Sequence, residues 1–279
     1  MRPATLAASV APVLSGTAIA VHEGGTRWAP GLGALVVAVS MQLGVNFAND
    51  YSDHVRGADA ERVGPLRAAS SGIVDPEHVR WAAVASFGVA GLAGLALSLA
   101  IDVRLLLAGA ACLLAGWLYT GGPRPYGYLG LGELFVFVFF GLVATVGTYY
   151  VETGHVTALA VLVGCAMGFL ATAILVLNNL RDIETDAAAG KRTLATRIGR
   201  AATHNLLLAL VTAAFLVPIL AVVAGAGILV LLVECFMLVA AGPVRAADTN
   251  SPHDLTRQLK RMAAAELVFA LLLALAMVL

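Results

Sequence analysis

The sequence predicts an all-α integral membrane protein of nine transmembrane helices, N-terminus inside and C-terminus outside, with two pseudo-repeated four-helix units around a central cavity. Three observations carry this: nine apolar runs of helix length, basic residues confined to alternate connections, and two polar segments that rhyme 132 residues apart. The chain is 60% hydrophobic and 12% charged, where water-soluble domains carry about 25% charged residues.

The apolar runs fall near 5–21, 32–49, 81–101, 103–119, 131–151, 157–177, 206–223, 227–241 and 262–279. Each suits the ~20 residues a bilayer core requires, and none alternates like a barrel strand. One Arg precedes the first run as in a signal peptide, but eight further runs follow, so it reads as an uncleaved first span. Glycine recurs, as at Gly88, Gly91 and Gly94, which is expected to bring helices into close contact in lipid. Cys112, Cys165 and Cys235 each sit alone in an apolar run and read as packing residues. The whole of 1–279 reads as one domain, with motif loops near 50–80, 120–130 and 178–200.

Charge fixes the orientation. With the N-terminus inside, all but Arg27 and Arg104 of the 17 Lys and Arg lie on the inner connections, as the positive-inside rule requires. Net charge is zero, so no global basic field points to nucleic acid.

The second run ends in Asn46-Phe-Ala-Asn49-Asp50-Tyr-Ser-Asp53 and the sixth in Asn178-Asn-Leu-Arg181-Asp182-Ile-Glu-Thr-Asp186. Asn46 and Asp50 repeat as Asn178 and Asp182, each followed by a glycine with basic residues, and duplication of a four-helix unit explains the match. At 3.6 residues per turn Asn46, Asp50 and Asp53 share one helix face, and Asn178, Asp182 and Asp186 are expected to share another. Carboxylates near a bilayer centre cost about 2.5–3.5 kcal/mol each on insertion scales, so a repeated cluster calls for a compensating cation. Mg2+ is the natural one, because it takes oxygen ligands from one or two carboxylates together with substrate phosphates. Two acidic stripes with Arg and Lys just beyond make a diphosphate trap. The chemistry expected is ionisation of an allylic diphosphate and capture of the cation by an electron-rich ring carbon.

These residues resemble the UbiA superfamily of membrane prenyltransferases over essentially the whole chain. More narrowly, NFANDYSDHVRGADAERVGPLR at 46–67, YTGGPRPYGYLGLGE at 119–133 and NNLRDIETDAAAGKRTLA at 178–195 look like its naphthoate-prenylating members. The resemblance implies transfer of a polyprenyl chain from polyprenyl diphosphate to 1,4-dihydroxy-2-naphthoate, with loss of the acceptor carboxylate, giving demethylmenaquinone. It implies Mg2+, as two ions, on Asn46, Asp50, Asp53, Asp182 and Asp186. It further implies diphosphate contacts from Asn46, Asn49, Arg56, Arg67, Tyr119, Arg124, Asn178, Lys191 and Arg192, in a bacterial cytoplasmic membrane with the active site facing the cytoplasm. Arg124 stands where the family pattern usually has a Lys, which keeps charge but removes a titrating amine.

Several residues carry two readings. Gln42, one turn above Asn46, serves either the pocket or an interhelical hydrogen bond, and Glu133 orients substrate or makes a structural ion pair. Glu234 is an intramembrane acid with no paired motif, His54 reads as loop-facing, and Tyr149 and Tyr150 as an outer aromatic belt. The rival enzymes are family members acting on 4-hydroxybenzoate, homogentisate or a chlorophyll or haem precursor. A cation-coupled carrier would also combine duplicated helices with membrane acids, but at mid-membrane on broken helices. Here the acids stand at helix ends with basic loops attached.

Overall fold

Helices occupy every predicted apolar run, and several continue past it where hydropathy has already fallen. In the computed structural model the described residues are 3–55, 69, 73–123, 125–249 and 251–279, with side chains described from residue 6 and outside 237–239. In chain order the elements are α1 (Pro3–His22), α2 (Trp28–Val55), α3 (Pro76–Ala100), α4 (Leu105–Leu118), α5 (Gly132–Thr153), α6 (Ala158–Arg181), α7 (Ile183–Ala188), α8 (Leu194–Val223), α9 (Ile228–Arg245) and α10 (Pro252–Val278). A 3₁₀ turn spans Tyr126–Leu129 between α4 and α5. Among the described residues seven of these helices are long and apolar enough to cross a membrane. The other two predicted spans, α1 and α4, are apolar but shorter over Leu6–His22 and Leu105–Leu118.

The extensions are set by polar caps that a hydropathy window does not weigh. Asp75 accepts from the Glu77 amide with Pro76 at the first helical position, and Ser251 accepts from the Asp254 amide with Pro252 in the same place. Thr193 likewise caps α8 through the Thr196 amide. Two spans depart from plain α geometry. The middle of α5, Phe137–Val143, is a π-helix, and α9 begins as a 3₁₀ helix over Ile228–Phe236.

α6 is the central helix, with Leu159, Met167, Leu170, Leu177 and Leu180 all fully buried. The two ends of the chain meet where α1 packs on α10, and the His22 ring nitrogens lie 3.0 Å from the Met277 carbonyl and 3.2 Å from that of Gly225. Close packing uses glycines other than those expected. A Cβ on Gly141 would stand 2.5 Å from the Gly168 amide nitrogen, and one on Gly44 would stand 2.8 Å from the Phe87 ring. Gly88 and Gly94 would meet nothing within 4 Å, and Gly91 only Leu113 at 3.7 Å. The helix-contact expectation thus fails for Gly88 and Gly94, and a Cβ on Gly91 would make only an ordinary side-chain contact with α4. Gly141→Ala is therefore expected to lower stability by about 1–3 kcal/mol or more, because backbone cannot step aside. Thermal unfolding in detergent, with Gly88→Ala as the neutral control, checks this.

Polar groups close the bundle at the end opposite the two motifs. Tyr150 donates to Asp102, which also pairs with Arg104 at 2.6 Å. Tyr149 is fully buried, hydrogen-bonded to Glu23 and 2.8 Å from the His155 ring. It anchors this end of the fold from within and is not part of a lipid-facing aromatic belt.

Candidate functional site

The first motif lies on one unbroken helix. α2 runs through Asn46, Asn49, Asp50 and Asp53 to Val55, with Asp50 and Asp53 buried and His54 exposed. The second motif bends at Asp182 but keeps its i to i+4 backbone bonds, the Asp182 amide donating to the Asn178 carbonyl at 3.2 Å and the Asp186 amide to the Asp182 carbonyl at 2.8 Å. α6 ends at Arg181, Asp182 leaves helical geometry at φ −95 and ψ 8, and α7 begins at Ile183. Arg181 spans the bend. Its guanidinium donates to both Asp182 carboxylate oxygens at 2.7 and 2.6 Å and to Asn178 Oδ1 at 2.8 Å. The fork joins sequence neighbours at the bend and is bidentate.

Asp186 stands close to the first motif. Lys191 Nζ lies 3.1 Å from Asp53 Oδ1 and 3.6 Å from Asp186 Oδ1, joining the two halves of the chain. Tyr128 Oη donates to the same Asp53 oxygen at 2.7 Å, and its ring lies 4.7 Å below the Lys191 ammonium. The Arg192 amide donates to the Tyr128 carbonyl at 3.0 Å, tying the third segment to the second motif. Burial alone would lower the Lys191 pKa, but the charges of Asp53 and Asp186 raise it, so the amine stays charged. Burial pushes the Asp186 carboxyl up to about 6; Lys191 opposes this, while the Asp182 and Asp53 carboxylates add to it.

Beside these acids opens a cavity of about 1160 Å³. Its polar end is lined by Asn46, Asn49, Tyr119, Asn178 and Arg181, with Gln42 one turn deeper. The four aspartates border this end without lining it. From there α2 lines the cavity back to Ala34, about 22 Å at 1.5 Å per residue, against mainly apolar residues of α3, α4 and α5. Tyr119 packs edge-on to Tyr126 at 5.5 Å, and Tyr126 stacks on Phe135 at 4.0 Å, which makes an aromatic wall near the polar end. Behind it Glu133 accepts from the Asn179 side-chain amide at 2.9 Å.

The structure thus brings together Asp53, Asp186 and Lys191, and sets Asn46, Asn49, Tyr119 and Asn178 on the cavity. Arg192 is exposed and contributes its backbone amide. Arg56, Arg67 and Arg124 lie outside the described residues. Arg181, Tyr128 and Asn179 were not singled out from sequence. Arg181 counted only as one more inner basic residue, although an Arg beside an Asp at the end of an apolar span is itself a signal. Tyr128→Phe removes one of the hydrogen bonds to Asp53 and is expected to lower turnover about 3- to 10-fold, the range of a typical net hydrogen bond; steady-state kinetics checks it.

The donor set suits a hard cation. Asp53 and Asp182 both raise the pKa of the Asp186 carboxyl, with Lys191 and Arg181 among the cations paired to these acids. Among the described residues no three His, Cys, Asp or Glu side chains already form a metal cage, which fits an ion that takes its remaining ligands from phosphate and water.

A family model described as the UbiA prenyltransferase family matches residues 9–278. The chain belongs to the UbiA prenyltransferase family. A 1,4-dihydroxy-2-naphthoate octaprenyltransferase of Mycobacterium tuberculosis is 44% identical over 274 residues, covering 98% of this chain and 93% of that one. The enzyme of the same name from Escherichia coli is 39% identical over 206 residues, covering 71% of this chain and 67% of that one. Among solved structures, a UbiA homolog from Archaeoglobus fulgidus bound to DMAPP and Mg2+ shares the fold with a TM-score of 0.65 at 15% identity, covering 98% of this chain and 96% of that one. UbiA membership and seven membrane-length apolar helices make the protein a multi-pass membrane protein.

Proposed function

We propose that this UbiA protein transfers a polyprenyl chain from polyprenyl diphosphate to 1,4-dihydroxy-2-naphthoate, with Asp50, Asp53, Asp182 and Asp186 as its Mg2+-holding acids. The observation that carries the reading is the meeting of the two acidic motifs through Lys191 at the polar end of a long apolar cavity. Such a site accepts a charged head and an apolar tail together. The naphthoate acceptor is supported by the names of relatives 44% and 43% identical over nearly the whole chain. The metal is supported by the acid-rich donor set and by the family homolog bound to Mg2+.

Bound Mg2+, as two ions shared with Asn46, would take up charge that develops on the leaving diphosphate. The chain's own groups do the rest. Asn46, Asn49, Tyr119 and Asn178 present hydrogen-bonding groups to the head at the cavity mouth, while Arg181 holds Asp182 and Asn178 in place. Lys191 is charged and stands between the two acidic motifs, and Arg56, Arg67, Arg124 and Arg192 supply the remaining positive charge. The apolar walls exclude water from the allylic cation. As the carbon–oxygen bond breaks, diphosphate leaves with the bonding pair and the naphthoate ring carbon forms the new carbon–carbon bond. Carbon dioxide leaves, returning its pair to the ring, and the product is the quinol of demethylmenaquinone.

The inner clustering of basic residues supports a bacterial cytoplasmic membrane with this site facing the cytoplasm. Purified protein given a labelled polyprenyl diphosphate and Mg2+, with 1,4-dihydroxy-2-naphthoate and 4-hydroxybenzoate in parallel, tests the function. Product from the naphthoate alone is expected. Product from the benzoate alone would move the acceptor, and no product or diphosphate from either would sink the enzyme reading.

A further inference from the structure

Three glycines line the cavity where glycine serves no packing purpose. A Cβ built on Gly94 of α3, Gly109 of α4 or Gly147 of α5 would meet nothing within 4 Å, and all three border the cavity. Glycine is among the worst residues for a helix interior, and the usual compensation in membranes is close helix contact, which is missing here.

Neighbouring contacts place the three at one depth. Gly33 faces Leu97 and Gly44 faces Phe87 across antiparallel α2 and α3, so Gly94 lies level with residues 36–37 of α2. Gly91 faces Leu113 across α3 and α4, which sets Gly109 level with residue 95, one position from Gly94. Gly31 faces Glu152 across α2 and α5, which sets Gly147 level with residue 36. Three helices therefore present a glycine to the cavity at the same level, about 15 Å from Asn46 along α2 at 1.5 Å per residue. Ala34, Val37 and Ala38 form the facing wall, and the cavity continues past this level to Ser98, Leu106 and Val151.

We propose that Gly94, Gly109 and Gly147 form a side-chain-free girdle through which the donor's polyprenyl tail threads, and that their lack of side chains sets the longest chain the enzyme accepts. The inference rests on the prenyl-transfer reading above and adds the residues that decide donor length. Tails that end before the girdle do not meet it. Longer tails must pass it, and any side chain there narrows the passage.

Gly94→Leu, Gly109→Leu and Gly147→Leu, with Gly88→Leu as control, are assayed in detergent with Mg2+, naphthoate and all-trans donors from dimethylallyl and geranyl diphosphate to long polyprenyl diphosphates. Gly88 is on the same helix, would also meet nothing within 4 Å and does not line the cavity. The ratio of kcat/KM for the longest donor to that for the shortest active one is expected to fall at least tenfold in the girdle variants and to hold in Gly88→Leu. Where a leucine variant does not survive purification, the alanine variant at that position decides by the same ratio, with a smaller fall expected. An unchanged ratio in active girdle variants, an equal fall in Gly88→Leu, or an equal loss across all donors would overturn the girdle. Absence of transfer by the unaltered protein with every donor would instead overturn the enzymatic reading beneath it.

Discussion

Asp50→Ala and Asp182→Ala are each expected to lower kcat/KM by about 10²–10³-fold or more while leaving a folded protein. That is the scale on which enzymes lose a principal electrostatic stabiliser of developing charge. The two acids stand at matched positions of the repeat, at the end of α2 and just past α6, both buried and both beside the polar end of the cavity. Asp50 is not a packing residue whose shortening should collapse the bundle, whereas Asp182→Ala strands the buried Arg181 guanidinium, so a lower Tm is expected for it and its turnover is read on the folded fraction. Labelled-donor turnover together with size-exclusion profiles checks both halves. Wild-type turnover in both variants would remove the acidic motifs from the chemistry.

Arg181→Ala is expected to cost both stability and turnover. The Arg181 and Asp182 side chains are only 2% and 8% exposed, and breaking a buried pair by removing one partner costs about 3–5 kcal/mol because the other charge is left uncompensated. The same change frees Asp182 and Asn178 together, since one guanidinium holds both. Thermal unfolding should show a large fall in Tm, and the purified remainder should turn over at least about 10²-fold more slowly. Arg181→Lys should recover part of the stability but little of the turnover, because an ammonium cannot make the two parallel bonds of a guanidinium fork. An Arg181→Ala protein with wild-type Tm and turnover would show that the fork does neither job.

Much of this was legible before any coordinates. Apolar run length gives the helices because a bilayer demands it, and the repeat of Asn46 and Asp50 at Asn178 and Asp182 points to a shared site because two helices in equivalent places run the same way. Less legible was everything that depends on which way a side chain turns. Helical spacing puts Asp186 one turn from Asp182, and the structure keeps it there, but it also ties Asp186 to Asp53 through Lys191. Spacing within one motif cannot reveal that, because Lys191 and Asp53 are 138 residues apart. The role of Tyr128 depends on a 3₁₀ turn that carries it beneath Lys191. Glycines gave the least away: Gly94 and Gly141 look alike in sequence, and only packing shows that one borders open cavity and the other touches backbone.

The central claim is that both acidic motifs act together through metal to hold the donor's diphosphate. Equilibrium binding of a polyprenyl thiolodiphosphate, which keeps the charged head but resists ionisation, measures this apart from turnover. The account predicts tight binding with Mg2+ that falls at least tenfold on chelation and equally in Asp50→Ala and Asp182→Ala. Binding of the same strength with and without Mg2+, unaffected by either substitution, would contradict it.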